Sequence, residues 1–511
     1  MTLTHSTLWL HLKHSFLLLL IVSGMMPFAA AQHNLLDEFK GKPFLTNEHH
    51  HVSGTSKRSG TLTETLDFVF DSISAVSTIK GFNAAMLLPD GSVWKRASGL
   101  SVEVPFNLPL STEHLMGMGS ITKSFVSTTL LLLYEEGLLD LNDSIGKYVG
   151  PYTNVPGSVT IRQLLSHRSG INDYLNENPA MINAWVADLD SIWVMDTILN
   201  NYVLQPNFPV GASWSYSNTN YLLAGRIIEN ITGQPWYEVV RNKVIEPLGL
   251  SHTFAYPWES PGAQPFSHVW LDIDGDGTVD DAQGYGIPVS GIFSIAASAG
   301  CLLSTPEDLA IFSQKVYSGQ VLLPETLAEM QMDYIQNGSG SLYGLGAASF
   351  AIPGNLENWG HDGNLFYKSI ALYFPTENMS LAVQQNDNRS FDPSAPDPVI
   401  DEGFLFIGLL DAYLNYESIS GTKDINHQRV SYTYSPNPAK DKVTITVNEN
   451  ETLTIGTIYL INAAGRVISV VHGEQRNEVE LNVTSFAPGV YYIEVMGTGN
   501  QLLGIRKLII E

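Results

Sequence analysis

Cysteine is nearly missing from this sequence of 511 residues, which contains only Cys301. A single cysteine excludes an intramolecular disulfide, so the fold must rely on the packing of its apolar side chains. Cys301 lies in the apolar run 296–303. This setting predicts a core residue rather than a nucleophile.

Positive charge is also scarce. The chain has 26 Lys and Arg residues against 51 Asp and Glu residues, which gives a formal net charge of -25. A surface of this sign repels a phosphate backbone, so the composition argues against a nucleic-acid partner. The charge favours solubility but does not specify a substrate.

Long hydrophobic runs are lacking beyond the first part of the chain. A basic start precedes the short apolar stretch 16–22, and the small residues 29–31 are typical of a cleavage site. Residues 1–31 are therefore predicted to be a signal peptide. No later stretch is predicted to span a membrane. Residues 32–60 are polar and predict a flexible linker, because they have too few apolar residues to form a core.

The rest of the sequence predicts two domains. Residues 61–416 begin with a helical pattern and a β-hairpin and continue into a long, mostly helical middle, which is an α+β plan. Residues 417–429 form a second polar linker. Short alternating strands from 430 to 511 predict a small all-β sandwich.

Ser120 and Lys123 form a Ser-x-x-Lys pattern at the start of a strongly apolar helix. Residues three apart share one helix face, so both side chains are predicted to point the same way from a buried element. A lysine that burial keeps neutral can accept a serine proton. The pattern also occurs by chance, so a catalytic role needs support from other segments.

Two further polar segments provide candidates. Tyr216 and Asn218 lie on a loop at a helix entrance, where they can project into a cleft; a core aromatic and a helix cap are the alternatives. His361 and Gly363 lie beside predicted strands, and the glycine would allow a ligand to approach the backbone closely. His167 is interpreted as binding loop backbone beneath the site, with a catalytic base as the alternative.

An acidic loop is similar to the first half of an EF-hand calcium loop. Its candidate oxygen ligands are Asp272, Asp274, Asp276, Thr278 and Asp280. Gln283 stands where the glutamate of such a loop is expected, and no helix pair flanks the segment. A structural calcium ion and a solvated acidic turn both remain open.

The three polar patterns, taken together and in this order, resemble the penicillin-recognising serine hydrolases. The resemblance is to the branch that holds class C β-lactamases, D-Ala-D-Ala carboxypeptidases and related esterases. It covers about residues 62–416. It implies an antiparallel sheet flanked by helices, an all-helical region beside it, and a site between the two that needs no cofactor for catalysis.

The resemblance also implies a role for each residue. Ser120 would be acylated, and Lys123 and Tyr216 would share its proton. Asn218 would bind the substrate's amide. The backbone N–H groups of Ser120 and Asn364 would form the oxyanion hole.

His361 occupies the position where β-lactamases carry a lysine. A histidine titrates near neutrality, whereas lysine is a permanent cation for a substrate carboxylate. In this respect the chain is similar to carboxypeptidase, D-aminopeptidase and esterase members. We therefore expect a serine hydrolase that acts through an acyl-enzyme on amides or esters, with peptide-like D-amino-acid substrates first. A carboxylesterase and a non-catalytic binding protein are the alternatives.

The last domain carries short motifs of its own, which are Tyr434–Ala439, Ala464-Gly465, Pro488–Tyr491 and Arg506–Leu508. They resemble the C-terminal sorting domain of the type IX secretion system of Bacteroidetes. The resemblance implies the secretion machinery as a partner. It also implies that the protein is secreted or displayed on the outer surface of a Gram-negative cell.

Overall fold

The structure is a computed structural model. It describes residues 61–273, 276–335, 341–352, 356–389, 400–420, 432–447, 454–462, 467–497 and 502–510. The predicted signal peptide and first linker lie outside these residues, as does most of the second linker. The chain divides into two compact units: Ile73–Ile407, and Gly408–Glu511 with the segment that ends at Ser72.

The helices lie between the first strands and the last strands of the main sheet, and at both ends of this part of the chain. They are α1 (Leu62–Val76), α2 (Thr122–Glu135), α3 (Ile161–Leu165), α4 (Pro179–Ala187), α5 (Met195–Asn201), α6 (Asn218–Thr232), α7 (Trp236–Val240), α8 (Ser290–Ala296), α9 (Pro306–Tyr317), α10 (Pro324–Met330) and α11 (Glu402–Ser420). Local sequence explains several boundaries. Thr160 and Gln163 form a capping box at the start of α3. Beyond the end of α2, Gly137 has a φ of +73°, which a glycine adopts without steric cost.

The main sheet of the first unit is antiparallel and has eight strands. Its strands are β1 (Gly81–Leu87), β2 (Val93–Val102), β3 (Leu108–Pro109), β9 (Leu342–Tyr343), β10 (Ala348–Ser349), β11 (Trp359–Leu365), β12 (Tyr367–Phe374) and β13 (Met379–Gln385). Their order across the sheet is β3-β2-β1-β13-β12-β11-β10-β9. The hairpin expected near the start of the domain is therefore β1–β2, and the strands nearest the C-terminus form the centre.

Short strands connect the helical region to this sheet. They are β4 (Met116–Gly117), β5 (Phe254–Ala255), β6 (Trp270–Leu271), β7 (Asp280–Asp281) and β8 (Leu302–Ser304). Strand β8 pairs with both β4 and β5. This pairing fixes the chain just before Ser120.

A large hydrophobic cluster packs the helices of the first unit against one face of its sheet, and further buried apolar residues such as Phe82, Leu372 and Leu381 lie outside that cluster. Helix α2 contacts α6 and α7, and α9 packs on β1, β12 and β13. Most side chains of α2 are buried on all faces, as its apolar sequence predicts. Cys301 is fully buried, so its predicted place in the core is confirmed.

The second unit contains two antiparallel sheets. Its strands are β14 (Tyr432–Ser435), β15 (Lys442–Val447), β16 (Ile455–Asn462), β17 (Val467–Arg476), β18 (Glu478–Asn482), β19 (Gly489–Gly497) and β20 (Leu502–Ile510). One sheet has the order β14-β15-β18 and the other β17-β16-β19-β20. Alternate residues such as Val443, Ile445 and Val447 form a core of their own, as in a β-sandwich.

None of the helices that the structure describes is both long enough and apolar enough to cross a membrane.

Candidate active site

Ser120 lies in a 3-10 turn, Gly119–Ile121, that leads directly into α2. The turn and the residue before it approach the backbone of β11 closely. A Cβ atom on Gly119, whose φ is +49°, would lie 2.6 Å from the Asn364 nitrogen, and one on Gly363 would lie 1.9 Å from the Met118 oxygen. Both glycines are therefore required for the serine turn to approach the strand so closely.

Lys123 is fully buried one helical turn after Ser120, and three atoms surround its amine. Its Nζ lies 2.9 Å from Ser120 Oγ, 2.8 Å from Asn218 Oδ1 and 2.7 Å from the Ala299 carbonyl oxygen. The amide and carbonyl oxygens can only accept hydrogen bonds. Two amine hydrogens are therefore assigned to them, and the remaining tetrahedral position faces Ser120.

Burial controls the charge of this amine. It lowers the pKa of Lys123 to about 7, while the negative charges of Asp173 and Asp362 act in the opposite direction. A large fraction of Lys123 is therefore neutral close to neutral pH, as a proton acceptor must be.

Tyr216 approaches the serine from the other side. Its hydroxyl donates to Ser120 Oγ at 2.8 Å. Burial raises the pKa of Tyr216 well above its ordinary value, against the opposing effect of this hydrogen bond. The side chain is thus a phenol, placed to donate a proton toward Ser120 rather than to accept one.

Asn218 connects the lysine to a buried carboxylate. While its Oδ1 accepts from Lys123, its Nδ2 donates to Asp173 Oδ2 at 2.9 Å. The Lys123 amine donates to Asn218 Oδ1 in either charge state, and an ionised carboxylate can only accept, so these two neighbours fix the orientation of the Asn218 amide. Burial raises the pKa of Asp173, and the N–H groups of Leu175, Asn218 and Asn176 oppose that shift.

His361 is almost fully buried, and both of its ring nitrogens are bound within the protein. Its Nδ1 donates to the Asp362 carbonyl oxygen at 2.6 Å, so its Nε2 is left to accept from the Tyr343 hydroxyl at 3.1 Å. Neither nitrogen faces free space. In this arrangement His361 has no ring nitrogen left to make the substrate contact that the sequence predicted.

His167 completes this hydrogen-bond chain from below. The Ser217 backbone N–H donates to its Nδ1 at 3.0 Å, so Nε2 carries the proton and lies 3.1 Å from Tyr343 Oη. Its ring stacks on Tyr216 with a centroid distance of 4.3 Å. Burial and the charge of Lys123 lower the pKa of His167 well below its usual range. The structure agrees with the loop-binding interpretation and leaves His167 without contact to Ser120.

Sequence reasoning missed two residues of the site, Asp173 and Tyr343. Asp173 and its hydrogen-bond partner Asn218 are 45 residues apart in the sequence, and Tyr343 and His167 are 176 residues apart. No local spacing rule connects such partners. Asp173 follows His167 in the same polar segment, and this was the only available signal.

The described residues of the acidic loop show no arrangement that would hold a metal. Among the described residues, no group of three or more His, Cys, Asp or Glu side chains could hold an ion. Asp272 accepts from the Gly277 backbone, and Asp276 accepts from Thr278. Asp274 lies outside the described residues. Calcium therefore has no support from this structure.

Comparison with known proteins supplies the family. Residues 76–403, more than half of the chain, match the family described as beta-lactamase. The chain belongs to the beta-lactamase family. The antiparallel sheet flanked by helices is the expected fold, and the solved structures similar to this chain confirm it.

Several proteins resemble this member of the beta-lactamase family. The putative penicillin-binding protein PbpX of Bacillus subtilis (strain 168) is 26% identical over 259 residues, which cover 50% of this chain and 57% of PbpX. The chain thus spans little more than half the length of that relative. A D-stereospecific amidohydrolase from Streptomyces sp. is 28% identical, with a TM-score of 0.55 over 64% of this chain and 94% of the other. The D-amino acid amidase of Ochrobactrum anthropi SV3 is 25% identical, with a TM-score of 0.59 over 70% and 99%.

The end of this beta-lactamase family member matches a second family. Residues 434–511 match the secretion system C-terminal sorting domain. The resemblance to a type IX sorting domain is confirmed, and this tail indicates export to the cell surface or beyond.

Proposed function

We propose that this protein is an exported serine amidohydrolase that acts on small amides and esters of D-amino-acid type. One observation carries the proposal. Ser120 Oγ is contacted by Lys123 Nζ at 2.9 Å and by Tyr216 Oη at 2.8 Å. A nucleophile with a buried amine on one side and a phenol on the other is equipped for acyl transfer.

The acylation step follows from the direction of these hydrogen bonds. In the neutral form of Lys123, the amine lone pair faces Ser120, and the serine hydroxyl donates its proton to it. Ser120 Oγ then forms a bond with the substrate's carbonyl carbon. The carbonyl oxygen becomes an oxyanion, which the backbone N–H groups of Ser120 and Asn364 would stabilise.

The leaving group departs when the tetrahedral intermediate collapses. The bond from the carbonyl carbon to the leaving nitrogen or oxygen breaks, and Tyr216 donates the proton that this atom needs. The proton held by Lys123 returns to Tyr216, so the net transfer is from Ser120 to the leaving group. Water then attacks the acyl-enzyme by the same route and releases the acid and free Ser120.

The substrate preference is supported by two similarities and by the charge of the site. The Streptomyces protein is a D-stereospecific amidohydrolase and the Ochrobactrum protein a D-amino acid amidase. Lys123 and His361 have their polar atoms bound internally. This favours an amide or ester substrate without a carboxylate over a carboxypeptidase or β-lactam substrate.

We also propose the domain boundaries and the route of export. Residues 1–31 are the signal peptide, 32–60 and 417–429 are linkers, 61–416 form the hydrolase and 430–511 the sorting domain. The machinery of type IX secretion is the partner of that last domain, whose match to a sorting family supports the proposal.

Intact-mass analysis tests the hydrolase proposal. The mature chain and its Ser120→Ala variant are incubated with D-phenylalanine amide, a D-Ala-D-Ala peptide, penicillin G and p-nitrophenyl acetate. We expect turnover of the D-amino acid amide and the acetate ester, with an acyl adduct that Ser120→Ala abolishes. Turnover of the acetate ester alone would indicate a carboxylesterase. No adduct and no turnover would leave a binding protein.

A further inference from the structure

Asp362 lies on the open edge of a strand beside the serine. Strand β11 pairs with β12 from Trp359 to Leu365, but it pairs with β10 only at Gly360. Beyond Gly360, no other described strand covers the outer edge of β11. The neighbouring backbone, at Gly363 and Asn364, is in contact with the serine turn.

The carboxylate of Asp362 retains contact with solvent. Its side chain is 13% exposed, whereas that of His361 is 2% exposed. The basic side chain beside it is His361, whose Nδ1 lies 3.4 Å from Asp362 Oδ1. That nitrogen already donates to the Asp362 carbonyl oxygen at 2.6 Å, which is a much better hydrogen bond. The carboxylate is therefore held weakly and can accept from a ligand.

This charge reaches the space around Ser120. The Asp362 carboxylate raises the pKa of Lys123 and contributes to the raised pKa of Tyr216. Because these two side chains flank Ser120 Oγ, a substrate bound there lies in the same field. A positively charged group on the substrate would be attracted and a negatively charged one repelled.

We propose that Asp362 is a specificity residue that binds a protonated amino group next to the scissile carbonyl. The substrates would be amides or esters of amino acids, or peptides, with a free amine, rather than acyl donors that carry a carboxylate at this position. An ammonium group donates charge-assisted hydrogen bonds to a carboxylate. The inference rests on the proposed amidohydrolase function and names the substrate class of the same site.

A pair of matched substrates tests the inference on the full chain. D-Phenylalanine amide carries the charged amine, and N-acetyl-D-phenylalanine amide carries an uncharged acetamide in its place. We expect kcat/KM to be about 10- to 100-fold higher for the free amine, the range of one charge-assisted hydrogen bond. The preference should decline above about pH 8, where the substrate's amine loses its proton.

Two variants assign the preference to a residue. Asp362→Asn should reduce the ratio of the two kcat/KM values at least about 10-fold, whereas a merely structural role would lower both values alike. Glu136→Gln is the charge-matched control. It removes an exposed carboxylate at the far end of α2, about 20 Å from Ser120, and should leave the ratio unchanged.

The outcomes separate this inference from the proposed function. Turnover of both substrates with equal kcat/KM overturns the inference but keeps the hydrolase. A preference that persists in a folded Asp362→Asn variant overturns the role of Asp362. If that variant does not fold, equal rates or a flat pH dependence of the ratio in the wild type still overturn the inference. No turnover and no adduct on Ser120 overturn both.

Discussion

Lys123 must lose a proton before it can accept one from Ser120. Because burial lowers the pKa of Lys123 to about 7, the neutral amine gains population as the pH rises through that value. We expect kcat/KM for D-phenylalanine amide to rise through an acidic limb with an apparent pKa near 7. A pH–rate profile in constant ionic strength measures it.

The control for this profile is Lys123→Met, which keeps the length of the side chain and removes the base. We expect its activity to fall by at least about 100-fold at all pH values. A wild-type profile that is flat between about pH 5.5 and pH 8 would contradict the role of Lys123 as the base.

The charge of Asp173 also determines the pH at which the acidic limb occurs. Its carboxylate raises the pKa of Lys123 and holds Asn218 through a hydrogen bond of 2.9 Å. Asp173→Asn removes the charge at nearly constant volume, so the acidic limb should move to lower pH. The same pH–rate measurement checks it. A limb that stays in place, with only a lower plateau, would show that Asp173 acts by position and not by charge.

How much of the site the sequence could predict depends on the separation of the partners. Ser120 and Lys123 are three residues apart on one helix, so helical geometry alone places them together. Asp173 and Tyr343 act through contacts between distant segments, which periodicity and spacing do not reveal. For the same reason, the sequence did not reveal that both ring nitrogens of His361 form hydrogen bonds within the protein.

At the scale of elements, the contact between the serine turn and β11 depends on glycine. A methyl group on Gly363 would lie 1.9 Å from the Met118 oxygen, so Gly363→Ala must push the strand away from Ser120. We expect at least about a 100-fold loss of kcat, because a displacement of about 1 Å suffices for such a loss. Steady-state kinetics of the purified variant measure it.

Gly150→Ala is the matched control for this substitution. A Cβ atom there meets no atom within 4 Å, and Gly150 is not among the glycines with positive φ. Its activity should stay close to that of the wild type. Full activity in Gly363→Ala would show that the strand tolerates the shift and that the contact is not required.

A buried charge cluster joins β12 to α11. Lys368 Nζ lies 3.4 Å from Asp401 and 3.1 Å from Glu402. Burial raises the pKa of Glu402 to about 8, above its ordinary 4.5, so the folded state binds a proton that the unfolded state releases. Between these values, the free energy of unfolding therefore decreases as the pH rises.

Glu402→Gln removes this dependence, because glutamine resembles the protonated acid. We expect the Tm of the variant to exceed that of the wild type at about pH 9 and the difference to shrink towards about pH 5. One kcal/mol corresponds to about 2–4 °C in a domain of moderate size. Calorimetry at both pH values measures the difference, and an equal Tm at both would argue against a proton on Glu402.

Sequence patterns predicted the regular elements better than the short ones. The apolar helix after Ser120 and the hairpin β1–β2 have strong periodicity and a clear turn. Strands β9 and β10 have two residues each and no periodicity, and their pairing is set by tertiary contacts. Tyr343 belongs to one of these, which is a further reason why it was missed.

At the scale of the whole molecule, the chain matches two families in separate segments, 76–403 and 434–511. Deletion of residues 430–511 removes the sorting domain, so the hydrolase should stay inside a Bacteroidetes host. We expect p-nitrophenyl acetate turnover to move from the medium or cell surface to the cell extract. Activity assays on the fractions check this, and unchanged export would refute the role of the tail.

The close approach of Gly119 to Asn364 brings together backbone from the helical region and from the sheet. A chain with one cysteine has no intramolecular disulfide to hold these layers at that distance, so packing and hydrogen bonds such as that from Ser369 Oγ to the Met118 oxygen maintain it. Slight separation of the layers would abolish turnover while most of the core stays intact. Activity should therefore be lost at a lower temperature than that of cooperative unfolding. Loss of turnover would then report the separation of the two layers before the core unfolds.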